Sequence, residues 1–380
     1  MNINSYLRKY GGCSFKDMPF NEIDAAILAE LSYVNFDLVA PLLSSPQSKP
    51  FRLKKLQIED WRAFYRGSVD SVSNGLMVSL MKGSKRFKDI KIGLCQNLFD
   101  KEQVRQFFAM SIFLPTGEAY VSFRGTDTSM LGWREDFEIT YKDAISSQLQ
   151  AVSYIQEAAR YLPERFYLGG HSKGGNLAIY CALNMGEELE GRLLRAFSFD
   201  GPGFRQNVTE MDSYQRISHK LTKFLTKNDM VGLVYNVMGH TKIVVSTGLF
   251  FGGHDLFYWQ VKRDSPEFKT VPKLSKSSEK NAYKLMDWLA SMSKGDKELL
   301  IGFLFHVFER RENVYEFVLF GARDLIEMPK ILREYSKEDR ARLRKMLVLL
   351  GDAYFGTHRH PEEPNPPSRE EEASSSSTTE

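Results

Sequence analysis

Cysteine is scarce in this 380-residue chain: Cys13, Cys95 and Cys181 are too few and too scattered for a disulfide framework or a zinc knuckle. An odd count would leave a thiol unpaired in an oxidising compartment, so a reducing one is expected. Charge of one sign is missing too. The 51 basic residues nearly balance 48 acidic ones, giving +3, and no dense Lys/Arg stripe faces a run of phosphates, which excludes nucleic acid as an expected partner. No window of about 18 residues is free of charge, and the N-terminus, MNINSYLRKYGGCSF, lacks an apolar signal core. Neither a spanning helix nor a secretory signal is therefore expected, and a cytoplasmic location is, with transient contact at a membrane surface still compatible. What is present is ordinary for a globular chain: 42% hydrophobic and 26% charged residues exclude a wholly disordered, collagen-like or coiled-coil protein.

FNEIDAAILAELSYV predicts a helix capped by Asn21, with Ile23, Ile27, Leu28 and Leu31 on one face. From Val104 to Arg124 two short runs flank Thr116-Gly117, the pattern of a β-hairpin. A helix from about Ser146 to Tyr161 is stopped by Pro163; RFYLGG then reads as a strand and KGGNLAIYCALNMGEEL as a helix. LLRAFSF, LTKFLT and KIVVST add three strands. Strands separated by helices predict an α/β fold: a mostly parallel sheet with an antiparallel hairpin at one side. This domain is expected over residues 1–270. Residues 280–356 read as an amphipathic helical segment, and 357–380, rich in Glu and Ser, as a disordered tail.

The stretch with most chemical content is Gly170-His171-Ser172-Lys173-Gly174, a G-x-S-x-G turn between a predicted strand and a predicted helix. Such a turn lifts the Ser172 hydroxyl from the sheet edge, and the Lys173 backbone N–H at the helix N-terminus faces a developing oxyanion. A serine needs a base held by a carboxylate, in the chain order Ser, acid, His. Of seven histidines, His254, in the glycine-rich loop after the last strand, suits the base better than His240. Two acids end neighbouring strands. Asp229, after LTKFLT, is preferred over Asp200, whose Asp-Gly-Pro-Gly setting also reads as turn chemistry.

These residues resemble a family. Phe123-Arg124-Gly125-Thr126, GHSKGG, Asn228-Asp229-Met230-Val231 and a later histidine look like the class 3 (fungal-type) lipases. NSYLRKYGGCSFKDMPFNEIDAAILAELSYVNF, the F-R-G-T-D segment, GHSKGGNLAIYCA and SFDGPGF are more closely similar to the bacterial Mbeg-like family of lipase-like α/β-hydrolases. The resemblance spans roughly residues 3 to 260. It implies an α/β-hydrolase fold, Ser172 as nucleophile, Asp229 as acid, His254 as base, and the Thr126 N–H beside that of Lys173 in the oxyanion hole. Lys173 stands where the lipases usually carry an apolar residue; its ammonium is expected either to read an anionic substrate or to reach solvent or a protein carboxylate. Trp133, with Met130, Leu131 and Phe137, occupies the stretch where class 3 lipases carry a lid, core packing being the competing reading.

The expectation is a serine hydrolase of carboxylic esters, lipid or acylglycerol-like, needing no metal or organic cofactor. The alternatives are a thioesterase or amidase with the same triad, and a catalytically inactive interaction protein on the same fold.

Overall fold

The computed structural model describes residues 1–45, 47–229, 231–235, 240–248, 250–308 and 322–355. The expected tail at 357–380, His358, His360 and Met230 lie outside the described residues.

Among the described residues, nine strands follow one another across a single sheet in chain order: β1 (Phe51–Arg52), β2 (Lys91–Asp100), β3 (Arg105–Phe113), β4 (Ala119–Phe123), β5 (Phe166–His171), β6 (Leu193–Phe199), β7 (Leu221–Thr226), β8 (His240–Val244) and β9 (Thr270–Val271). The centre, β4 to β8, is parallel. Its edges are antiparallel, through β1 to β4 on one side and β8 with β9 on the other. With helices on both faces and the G-x-S-x-G turn at its centre, this is the α/β-hydrolase fold. The antiparallel part exceeds the single hairpin expected from the sequence, because β2 was illegible there: its register shifts between Gly93 and Gln96, with Leu94 at φ +52°. Such a bulge breaks the alternation of period two that announces a strand. The hairpin turn between β3 and β4 rests on Gly117, at φ +108°.

The two sheet faces carry separate cores. One packs Phe197, Phe199, Phe224 and Trp259 against Ile23, Ala26 and Ile27; the other packs Val121, Phe123 and Leu168 against Tyr154, Leu177 and Ala178 of the crossover helices Ser146–Ala158 and Lys173–Asn184. The helix Glu22–Glu30 starts where expected, with Asn21 accepting from the N–H groups of Ile23 and Asp24. It is buried all round rather than on one face. Its two buried acids are satisfied at long range: Asp24 pairs with fully buried Arg86, and Glu30 accepts from Asn74 Nδ2 at 2.9 Å.

The C-terminal helices Lys276–Ala290, Lys294–Phe308, Ala322–Glu334 and Lys337–Phe355 share a core of their own, built on Leu289, Leu300, Phe303, Ile331, Leu343 and Met346. They meet the sheet domain where Ile301 and Phe305 pack on Tyr141, Met130, Trp133 and Phe137. Among the described residues no helix is long and apolar enough to cross a membrane.

Candidate active site

Ser172 sits between the end of β5 and the first residue of the helix Lys173–Asn184, at φ +56° and ψ −130°. A left-handed non-glycine backbone costs on the order of 1–3 kcal/mol and persists only where surroundings hold it. Here β6 helps to hold it, Ser172 N donating to Phe199 O at 2.9 Å. The flanking glycines are required by close approach: a Cβ on Gly170 would overlap the Gly174 backbone, and one on Gly174 would overlap Phe123 O. The first turn of the helix closes from Gly175 and Asn176 N–H back to Ser172 O, so Lys173 N–H stands at the open N-terminus.

The Lys173 side chain turns away from solvent. Only 1% exposed, its ammonium donates to Gln106 O (2.8 Å), Gln106 Oε1 (2.7 Å) and Glu135 Oε2 (2.9 Å). Glu135 also accepts from Ser147 N and Ser147 Oγ, both at 2.8 Å. All three ammonium protons are thus spent inside the protein. Of the two expectations for this side chain, the structure gives the protein carboxylate.

The F-R-G-T segment leaves β4 directly against the elbow. A Cβ on Gly125 would overlap Tyr33 Oη and would stand 3.1 Å from Ser172 Cβ, which brings the following Thr126 close to Ser172. Thr126 Oγ1 donates to Asp136, whose carboxyl is pushed up to about 6 by burial. Arg124 is structural: its guanidinium donates to Ser32 O and Val34 O and lies 3.8 Å over the Phe108 ring.

His254 Nδ1 donates to Asp200 Oδ2 at 2.7 Å. Burial holds the imidazole below its ordinary pKa, which favours the neutral form, with the proton on Nδ1 facing Asp200 and the lone pair on Nε2. Its loop is braced twice. His171 Nε2 donates to His254 O at 2.8 Å, and Trp259 Nε1 donates to Gly253 O at 3.2 Å. Because Nε2 of His171 faces a carbonyl it carries the proton, and Nδ1 accepts from Tyr33 Oη at 3.1 Å. Burial, then the neighbouring His254, keeps His171 well below its ordinary pKa, consistent with that neutral tautomer. His240, by contrast, opens β8 in an exposed position, and His306 faces Glu334 on the C-terminal helices.

The imidazole partner is thus Asp200, where the sequence pointed first to Asp229. Asp200 directly follows the last residue of β6, the strand beside the elbow, and is fully buried at φ +53° with its N–H on Phe224 O. Asp229 stands three residues beyond β7, one strand further away, and Oδ1 is turned back onto its own loop, accepting from Val231 N (2.9 Å) and Gly232 N (3.0 Å). It lies behind Asp200 instead of beside His254, and the two carboxyls are in hydrogen-bond contact. Burial raises both acids, Asp200 to about 7 and Asp229 well above its ordinary value, with the charge of Asp200 adding to the shift of Asp229. Buried Lys223, held down to about 8, donates to Gly232 O at 2.8 Å beside them.

Sequence reasoning missed His171, Tyr33, Asp136 and Lys223 as parts of the site. Lys223 alone left a signal: a lysine in phase with Leu221 and Leu225 on an otherwise apolar strand requires a buried acid nearby. Among the described residues no cluster of His, Cys, Asp or Glu has the arrangement of a metal site.

The Mbeg1-like family model matches residues 81–306. No curated protein matches the chain. Among solved structures, the M37 lipase is similar at 14% identity and a TM-score of 0.38, over 57% of this chain and 71% of that one. A fungal lipase in complex with an inhibitor is similar at 13% identity and a TM-score of 0.36, over 64% and 79% respectively.

Proposed function

The chain belongs to the Mbeg1-like family, and from that premise and the site's geometry we propose that it is a serine hydrolase cleaving carboxylic esters, lipid or acylglycerol-like, through an acyl-enzyme. Ser172 Oγ attacks the carbonyl while His254 Nε2 takes its proton. The backbone N–H groups of Thr126 and Lys173 receive the oxyanion, and the proton passes from His254 to the leaving alcohol. Water, deprotonated by the same imidazole, then releases the acid. Asp200 fixes the imidazole tautomer and stabilises the imidazolium formed in each half-reaction.

The observation that carries this reading is the 2.7 Å contact between His254 Nδ1 and buried Asp200, on a loop pinned by His171 to the elbow that strains Ser172. A strained serine and a buried imidazole–carboxylate pair are costly to maintain, and an interaction scaffold has no use for them. Of the two readings of Trp133, packing is the one found here: Met130, Trp133 and Phe137 of the helix Met130–Glu138 pack on Ile301 and Phe305, so the preference for apolar esters rests on the family resemblance alone. With its ammonium spent on Glu135, Lys173 offers an anionic substrate no charge. A series of nitrophenyl esters of increasing acyl length tests the proposal: hydrolysis that favours medium or long neutral chains and vanishes in Ser172→Ala is expected. A folded wild type inert to the whole series would refute it.

A further inference from the structure

Four carboxyl oxygens meet at the ends of β6 and β7, and two are accounted for. Asp200 Oδ2 accepts from His254 Nδ1, and Asp229 Oδ1 accepts from the two amides of Val231 and Gly232. The other two, Asp200 Oδ1 and Asp229 Oδ2, are buried with no hydrogen-bond donor among the described residues. They line one gap: a methyl on Gly232 would stand 2.9 Å from the first and 2.8 Å from the second, and the two carboxyls are in hydrogen-bond contact. Two anionic oxygens do not remain in contact in a buried site without a proton between them. The Thr226 amide donates to the Asp200 carboxyl, and among the described residues no other neighbour supplies a proton between the two oxygens: Lys223 donates to Gly232 O, and the buried Thr226 hydroxyl has no partner there.

We propose that Asp229 is a neutral, proton-bearing acid at neutral pH whose O–H is donated to Asp200 Oδ1, making it a positioning residue for the Asp200–His254 pair. Asp200 is the anion of the two, since it must accept from the imidazole. The amides hold the carbonyl oxygen of Asp229 and leave Oδ2 as its hydroxyl. The titratable groups facing this proton are Asp200, Lys223 and His254. Their balance explains its presence: Lys223⁺ offsets one carboxylate, and a second anion behind Asp200 would raise the pKa of the imidazole and so favour the protonated form that cannot act as a base. A neutral donor orients Asp200 without adding that charge. The proton itself does not depend on the hydrolase reading, whereas its effect on rate does.

The direct readout is infrared difference spectroscopy of the wild type: a protonated-carboxyl C=O band at neutral pH, absent in Asp229→Asn. In kinetics, Asp229→Ala should lose about 10- to 100-fold in kcat, the scale of one hydrogen bond to a charged group. Asp229→Asn, which keeps a donor, should recover most of that loss, whereas Asp200→Asn should lose about 10⁴-fold, the scale for a triad acid turned amide. Absence of the band, or a loss in Asp229→Asn as large as in Asp200→Asn, overturns the proposal. If the wild type hydrolyses no ester yet shows the band, the shared proton stands and the hydrolase reading falls.

Discussion

Replacing Lys173 with Met separates two roles of one residue, because the backbone N–H assigned to the oxyanion hole stays while the ammonium goes. The ammonium donates three hydrogen bonds of 2.7 to 2.9 Å and offsets a fully buried Glu135. Removing one partner of such a pair leaves the other charge buried and uncompensated, at about 3–5 kcal/mol. At roughly 2–4 °C per kcal/mol for a domain of this size, Tm should fall by roughly 6–20 °C. Adding Glu135→Gln removes the stranded charge, so the double variant should be more stable than the sum of the single losses, with a coupling of about 0.5–3 kcal/mol. Thermal unfolding followed by circular dichroism measures the cost, and kcat/KM per folded molecule on matched neutral and anionic esters measures any role in specificity. Both esters should respond alike. A Tm unchanged in Lys173→Met, with a selective loss on the anionic ester that shrinks in salt, would refute the argument.

Because burial lowers the His254 pKa and raises that of Asp200 to about 7, the base itself is protonated only below pH 6.5, the ordinary histidine value, while its carboxylate partner is lost from about pH 7 downward, so the acid limb of kcat/KM should be centred at or below about 7; an acid limb centred well above pH 7 would contradict this. Gly174→Ala, whose Cβ meets Phe123 O, should destabilise by about 1–3 kcal/mol as overpacking does; unchanged urea unfolding would show that strand and helix have room to part. His171→Phe leaves the Tyr33 hydroxyl and the His254 carbonyl without their partner and should cost about 1–3 kcal/mol by the same assay; no change in stability would remove the brace from the account.

What could be read from the sequence was what depends on neighbours in the chain. The elbow announced itself because glycine at 170 and 174 answers a local steric demand, and the hairpin because Gly117 answers a local dihedral one. His254 emerged by elimination among seven histidines. The choice between Asp200 and Asp229 turned on which strand end lies against β5, a distance across the sheet that spacing along the chain does not encode. The same limit hid the all-round burial of the helix Glu22–Glu30, whose acids are paired with residues 62 and 44 positions away. It also hid the docking of Ile301 and Phe305 on the helix after Thr126, since an amphipathic face does not name its partner. Lys173 stood between a specificity role and a structural one only while the position of Glu135 was unknown.

The central claim is that Ser172 is an activated nucleophile, and covalent labelling with a fluorophosphonate read by intact-protein and peptide mass spectrometry tests it most directly. Rapid addition of a single phosphonyl group on Ser172 is expected in the wild type, with none in Ser172→Ala and a markedly slower reaction in His254→Ala and Asp200→Asn. A wild type that circular dichroism shows to be folded but that stays unlabelled, or that labels as fast without His254, would contradict the account.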